Sequence, residues 1–347
     1  MPEIRIRTLE EGQVPAWSDV LISSATFTAL PAWSNLVRDM YGYKIHGFEA
    51  IRDDEVVGLL VLTHVQHPIF GNYLTTAPFG SYGGFAYATF DARDMLLEKA
   101  QTLANELGVE YVNVRFEAGN EPPPNGWLQH PIYSTYCADL NPDSEKLLST
   151  YGSDHRNHVR KSLKKNFSVK FGHLDLLDDA YEALVRSMHE LGSPYHGKKY
   201  LRAMAESLGD KLEFAVLYNA QKKLAGAGVF ITLGNTVTNL HANILRDQRS
   251  DYAGEFLYWS VIQRYSQKGF EIFDIGRSLN GSGNETFKMK WKPRKVSLAY
   301  WYYLPKGGPI PELNQKSAKF QLAIRIWKIL PAFVVRALGP SLIRGLA

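Results

Sequence analysis

Two stretches of this chain, Gly108-Val109-Glu110-Tyr111-Val112-Asn113-Val114 and Gly269-Phe270-Glu271-Ile272-Phe273-Asp274-Ile275, align position by position. In each, a glycine follows a helical run, as a residue ending a helix in the left-handed conformation does, and an alternating strand begins. The elements before them repeat as well. In the first half the pattern predicts a strand at Glu3–Thr8, helices at Trp17–Ser24 and Pro31–Met40, and a hairpin of Lys44–Ile51 with Val56–Val65. A third strand at Tyr73–Thr76, a helix capped by Asp91 and running to about Leu107, and strand Val109–Phe116 complete it. The second half offers strand Ser168–His173, helices Asp178–Glu190 and Lys198–Leu208, and strands Leu212–Tyr218, Lys223–Leu233 and Thr236–Asn243. Helix Ala253–Gln267 and strand Phe270–Ile275 close it. An order β-α-α-β-β-β-α-β, used twice, predicts two similar α/β domains rather than one large fold.

Length and composition agree with that division. The 347 residues suit about two domains, and 45% hydrophobic with 21% charged residues is ordinary for a folded protein with a sizeable core. One cysteine, Cys137, excludes an internal disulfide and a zinc ribbon, which suits a reducing cytosol. Charges where a signal peptide would carry its apolar core, and the lack of any uncharged run of roughly 18 residues, give no expectation of export or of a membrane span. The net charge of +4 is too small to announce a nucleic-acid binder. Its distribution is more informative: after Glu312 the chain has no acid, while Lys316, Lys319, Arg325, Lys328, Arg336 and Arg344 make the last 35 residues strongly basic.

Common nucleophile and metal patterns fail: there is no G-x-S-x-G, no H-E-x-x-H and no Walker loop. His64 and His67, three apart on a strand, would point to opposite faces, so no metal is expected there. Cys137 on an apolar strand reads as a small buried hydrophobe. What remains is direct attack of an amine on a bound acyl donor, which needs positioning, a proton acceptor and donors for the developing oxyanion. Asp274 and Arg277 stand at the end of a strand, where α/β sheets present ligand-binding groups. The Gly281-Ser282-Gly283 loop beyond could turn its amides to an anion. The same residues could equally form a plain loop with a structural ion pair. In Phe287-Lys288-Met289-Lys290-Trp291-Lys292 apolar and basic residues alternate, so an extended chain would send the lysines outward, to a ligand or only to solvent. Arg156, Arg160 and Lys164, with Asn157, Lys161 and Lys165, would form a basic helix flank, either solvated or set against phosphates. Tyr195, His196, Lys198 and Tyr200 follow a Gly-Ser-Pro break and could line an acceptor cleft, with His241 and Asn243 on the strand facing it.

The doubled order, together with Phe273-Asp274-Ile275-Gly276-Arg277-Ser278, Gly281-Ser282-Gly283 and Phe287-Lys288, resembles the tandem GNAT acyltransferase fold of the Fem-type (FemAB-like) aminoacyltransferases. Ser81-Tyr82-Gly83-Gly84, Asn157-His158-Val159-Arg160-Lys161-Ser162 and Leu191-Gly192-Ser193-Pro194 extend the resemblance over roughly residues 1–305. It looks closest to a Fem-related subgroup linked to exopolysaccharide export. The resemblance implies a transferase with Asp274 and Lys288 as catalytic residues. Lys288 falls on the family's Phe-Lys pair, whose lysine handles donor or acceptor phosphate. It also implies mixed, mostly antiparallel sheets flanked by helices in domains 1–145 and 146–305, with residues 306–347 as a basic amphipathic tail.

One departure bears on the donor. Members that use acetyl-CoA hold its pyrophosphate in an Arg/Gln-x-x-Gly-x-Gly/Ala turn, whereas this chain reads Arg249-Ser250-Asp251-Tyr252-Ala253-Gly254, with a tyrosine at the first glycine. The resemblance therefore favours aminoacyl-tRNA over acyl-CoA as donor, with no tightly bound cofactor. The acceptor would be an amino group on a cell-envelope or exopolysaccharide precursor. A CoA-dependent small-molecule N-acetyltransferase and a non-catalytic component of a polysaccharide assembly are the competing readings. Residues 313–347 combine cations with Trp327 and Phe333. They would either lie on the anionic inner face of a membrane or dock on the second domain, kinked at Pro331.

Overall fold

The computed structural model describes residues 3–10, 13, 21, 25–117, 119, 121–311 and 318–347, so the helix expected at Trp17–Ser24 lies almost wholly outside the described residues. In chain order the first half contains β1 (Arg5–Thr8), α1 (Pro31–Tyr41), β2 (Lys44–Arg52), β3 (Glu55–His67), β4 (Gly71–Thr75) and β5 (Phe85–Tyr87). It ends with α2 (Phe90–Leu107), β6 (Tyr111–Glu117) and β7 (Trp127–Gln129). The second half runs through β8 (Tyr133–Asp139), α3 (Ser144–Thr150), α4 (Ser153–Leu163), β9 (Ser168–Gly172), α5 (Leu177–Leu191) and α6 (Lys198–Leu208). It continues with β10 (Leu212–Tyr218), β11 (Leu224–Leu233), β12 (Thr236–Ile244), α7 (Ala253–Gln267), β13 (Ile272–Asp274), β14 (Ser278–Leu279) and α8 (Gly283–Met289). Last come β15 (Arg294–Tyr303), α9 (Ala318–Ile329) and α10 (Ala332–Ile343). The expected order is therefore present in the second half, and in the first among the described residues apart from the helix at Trp17–Ser24.

Two compact units form: residues 1–134 with 296–312 and 344–347, and residues 135–295 with 313–343. In the first, antiparallel neighbours β1, β2, β3 and β4 lead to a parallel step from β4 to β6, and β15 then pairs antiparallel with β6. In the second, β9, β10, β11 and β12 are antiparallel neighbours, the step from β12 to β13 is parallel, and β8 pairs antiparallel with β13. Each parallel strand is thus flanked by a strand that follows a repeat in sequence: β13 by β8, which comes after the first repeat, and β6 by β15, which comes after the second. β8 follows the first repeat but pairs in the second unit, and β15 does the reverse. This exchange moves the division to Ser134/Thr135, against the expected 145/146, and returns residues 296–303 to the first unit.

The cores follow the periodicity. In the first unit Leu96, Leu97, Ala100 and Ala104 of α2 pack on Phe48, Leu60, Leu62 and Val112. In the second, Leu257, Val261 and Ile262 of α7 pack with Leu217, Phe230 and Phe273. Helix α2 is capped by Thr89, whose Oγ1 accepts from the Ala92 amide at 3.4 Å. Asp91 instead occupies the first turn, where a carboxylate meets the positive end of the helix.

The tail is not a free helix. Trp327 is buried in the second unit and donates to Ser193 O at 3.1 Å, while His189 Nε2 bonds Trp327 O and Arg336 pairs with Glu182 at 2.6 Å. The chain breaks between α9 and α10 at Leu330 and Pro331, as a proline without an amide hydrogen requires. Trp327 therefore belongs to the docked arrangement. Ile329 and Phe333, at 81% and 74% exposure, keep an apolar face outward.

Candidate active site

In the second unit the parallel pair β12 and β13 stays in register only over Thr236–Thr238 and Ile272–Asp274. β12 continues to Ile244, with a bulge where Val229 and Phe230 of β11 face His241 and Asn239. Bulges bend a strand and re-aim its side chains. Beyond Asp274 the chain turns at Gly276, whose φ is +83° and where an added Cβ would meet Asn239 O at 2.9 Å, so only glycine fits. Asn239 Nδ2 holds Ile275 O at 3.2 Å and the Tyr258 hydroxyl at 3.0 Å. A rigid loop thus forms where the two strands stop pairing.

Asp274 and Lys288 meet at this loop. Asp274 is buried, and its Oδ1 accepts from Thr135 Oγ1 at 2.5 Å and from the Gly276 amide at 2.9 Å. Lys288 is only 8% exposed; its Nζ donates to Gly276 O at 2.7 Å and Arg277 O at 2.8 Å and lies 5.6 Å from the centre of the Tyr136 ring. An ammonium has three donors, so two carbonyls leave one for another acceptor. Burial lowers the Lys288 pKa to about 8; Asp274 opposes that shift and Arg277 adds to it.

The extended chain expected for Phe287–Lys292 is a helix end instead. Phe287 and Trp291, four apart, share one side and pack into the core, Met289 is exposed, and Lys288 turns inward. The glycine loop also differs from an open anion cradle. Ser282 Oγ accepts from the Glu285 amide at 3.3 Å, and the Gly281 amide is taken by the Glu285 carboxylate. That carboxylate is held down to about pKa 2 by Lys295, the Gly281 amide and the Tyr136 hydroxyl. Gly281 and Gly283 serve the start of α8.

A second group of expected residues converges on an aromatic cluster. The Tyr195 ring meets His196 at 5.6 Å and His241 at 5.4 Å edge to face, and His196 stacks on Tyr200 at 4.1 Å. His196 is held well below its usual pKa by burial and by His241. His241 is lowered to about 4 by burial and by the neighbouring Arg277 charge. Both imidazoles are neutral near pH 7, and burial pushes the Tyr195 hydroxyl up. Arg277 is exposed and couples electrostatically to both His241 and Lys288, so the cluster and the loop share one electrostatic neighbourhood.

The remaining residues stand apart. Lys198 is tied to Asp178 at 2.5 Å, and Asn243 Nδ2 lies 3.5 Å from Met188 Sδ. Arg160 and Lys161 are exposed on α4, with Lys161 Nζ 5.8 Å from the Tyr252 ring. Sequence reading missed Thr135, Tyr136, Asn239 and Glu285. The first two come from β8, and only its long-range pairing with β13 brings them to Asp274. Glu285 had a readable signal, since Ser282 and Glu285 form the S-x-x-E helix-start signature.

Comparison with known proteins bears on the fold of this region. Residues 153–289, from the start of α4 to just past Lys288, match a family model described as an acetyltransferase (GNAT) domain. The second unit therefore holds a GNAT-type acyltransferase domain, and the chain is an acyltransferase. Among solved structures, FemX is 13% identical, with a TM-score of 0.61 over 87% of this chain and 95% of that one. A tandem GNAT protein from the clavulanic acid biosynthesis pathway is 12% identical, with a TM-score of 0.56 over 89% of this chain and 100% of its own. L-PGS from Bacillus licheniformis is 12% identical, with a TM-score of 0.52 over 79% and 87%. At such identities the likeness is one of fold: two GNAT-like halves with mixed, mostly antiparallel sheets. No curated protein sequence matches the chain significantly.

Proposed function

We propose that the second unit transfers an aminoacyl group from tRNA to an amino group on a cell-envelope or exopolysaccharide precursor. The Fem-like resemblance and the two-half fold shared with FemX support the aminoacyl chemistry. The single observation that carries the site is the buried Lys288, fixed by two carbonyls beside Asp274 where β12 and β13 part. In the reaction the acceptor nitrogen attacks the ester carbonyl, a C–N bond forms, the C–O bond to the ribose breaks, and the proton that the amine loses is balanced by the one that the departing ribose oxygen takes up. The third donor of the Lys288 ammonium, beyond the two that the carbonyls take, suits the oxyanion that develops. The neutral, buried surroundings of Tyr195, His196 and His241 suit an uncharged, nucleophilic amine.

The start of α7 favours a donor other than acyl-CoA. A diphosphate would seek the positive end of this helix, where amides are unpaired. Here Glu255 puts a carboxylate in the first turn, and Tyr252, with φ of +60°, lays its ring 4.8 Å from His158. The acetyltransferase description of the matched family keeps acyl-CoA as the competing donor. The two separate by ligand-induced thermal shift of the full chain, since a ligand at 100 times its dissociation constant stabilises by about 2.7 kcal/mol. Aminoacyl-tRNA should raise the melting temperature, and acetyl-CoA should not. Stabilisation by acetyl-CoA alone would sink the donor assignment.

A further inference from the structure

Away from Lys288 and Asp274, helices α4 and α7 bring together His155, His158 and Glu255, with one potential ligand atom of each within 4.8 Å of the others. His155 and His158 are three apart on α4 and so share a face, while Glu255 lies in the first turn of α7. His158 Nδ1 stands 3.9 Å from Glu255 Oε1.

A second, independent feature is the state of His155. It is only 4% exposed, and neither of its ring nitrogens has a hydrogen-bond partner among the described residues. Buried polar atoms are almost always paired, because burial removes their water without replacement. Its ring is fixed edge-on against Trp291 at 4.3 Å, so the imidazole is oriented yet unsatisfied. His158 Nδ1 is likewise buried without a hydrogen bond, and the Tyr252 ring limits its rotation from the other side.

We infer that His155, His158 and Glu255 form a binding site for a divalent transition-metal ion of the Zn²⁺ class, joining α4 to α7. Two imidazole nitrogens and one carboxylate oxygen are a donor set that Zn²⁺ and Co²⁺ accept readily, whereas Mg²⁺ and Ca²⁺ require oxygen. Four-coordinate ligands about 2.1 Å from zinc lie roughly 3.4 Å apart, so small side-chain rotations close the set. Three protein ligands leave a fourth position for water or another oxygen. The ion also balances the Glu255 carboxylate, whose present neighbour is Lys290 Nζ at 3.8 Å. Lys290 is therefore a competitor for the same charge.

The test is titration of the metal-free full-length chain with Co²⁺, followed by the visible absorption of four-coordinate cobalt, and then displacement by Zn²⁺. The wild type should bind one equivalent. His158→Gln and Glu255→Gln, at half-buried and nearly buried helix positions, should each weaken binding by roughly tenfold or more while keeping the circular dichroism of the folded chain. Lys290→Met should tighten it, a sign that an adventitious surface site would not give. Absence of saturable binding, or equal affinity in wild type, His158→Gln and Glu255→Gln, would overturn the assignment. These variants leave in place the buried His155 ring, whose packing on Trp291 helps to hold the unit together.

Discussion

The two halves share one chain path and differ at one rung of it. In the first unit β6 runs parallel to β4 with Asn113 opposite Thr75; in the second, β13 runs parallel to β12 with Asp274 opposite Thr238. Asn113 and Asp274 occupy equivalent positions of the aligned glycine-led strands, and both are buried. Their partners are not alike. Asn113 gives its amide to Trp301 O at 3.4 Å and accepts from Arg115 Nε at 2.5 Å, so its polar atoms are consumed by its own sheet. Asp274 keeps a carboxylate beside a buried lysine with a donor to spare. A duplicated topology thus supplies two frames, and only the second sets a buried carboxylate, Asp274, beside a lysine from α8.

The largest effects should come from erasing that difference. Asp274→Asn installs the amide of the first half, and Lys288→Met removes the cation; each should lower kcat/KM by about 10²–10³-fold, as loss of a single preorganised electrostatic group does. Asn113→Ala should leave turnover unchanged and destabilise the chain by about 1–3 kcal/mol through lost buried hydrogen bonds. Steady-state kinetics beside urea unfolding separates these. Equal loss of turnover from both halves would break the comparison.

Lys288 also gives the comparison a pH signature. Because its pKa falls from 10.5 to about 8 on folding, a reaction that uses the ammonium should decline as pH rises through about 8, and Lys288→Met should be slow without that decline. For stability the sign is opposite. The folded chain holds its proton less tightly than the unfolded chain, so the penalty is complete below about pH 8 and disappears by about pH 10.5. Over that window wild type should gain on the order of 3 kcal/mol relative to Lys288→Met. A flat difference in unfolding free energy would mean that Lys288 is not desolvated.

What could be read from the sequence was what is local. Helix period, the glycines before β6 and β13, and the convergence of Tyr195, His196 and His241 all lie in short-range pattern or in the order of elements. The exchange of β8 and β15 does not, since pairing across the sheet depends on partners more than a hundred residues distant. The direction of Lys288 was ambiguous for another reason: strict alternation suits a strand, but Phe287 and Trp291 are also one helical turn apart, and burial of both selects the helix. Likewise the tail has aromatic residues for either of two environments. Trp327 finds a carbonyl to bond within the second unit, whereas Phe333 stays three-quarters exposed.

That contrast within the tail makes a prediction of intermediate size. Leu322, Ile326, Ile329, Phe333 and Leu338 form an exposed apolar set on α9 and α10, among basic residues with no acid after Glu312. Among the described residues no helix is long and apolar enough to cross a membrane. Each cation near an anionic leaflet contributes on the order of 1 kcal/mol, screened by salt, and inserted apolar groups add a part that salt does not remove. Co-sedimentation with phosphatidylserine vesicles should therefore fall only partly at high salt. Ile329→Ser with Phe333→Ser should remove the salt-resistant part, while Trp327→Ser should chiefly lower the melting temperature. Full release by salt would assign the tail's attraction to charge alone.

The smallest expected effect is the sharpest check on the equivalence itself. Gly108 ends α2 with φ of +61° and Gly269 follows α7 with φ of +85°, and a Cβ added at either meets no atom within 4 Å. Alanine at these positions therefore costs only the strain of a left-handed backbone, about 1–2 kcal/mol, with no contribution from crowding. Gly108→Ala and Gly269→Ala should destabilise the chain by the same amount within a few tenths of a kcal/mol, measured by urea unfolding with unchanged m-values. Neither should alter kcat, because neither glycine touches Asp274 or Lys288. If Gly269→Ala lowered kcat while Gly108→Ala did not, the start of β13 would set the position of Asp274 in a way that the start of β6 does not set Asn113. The two frames would then differ in their backbones as well as in the side chains they carry.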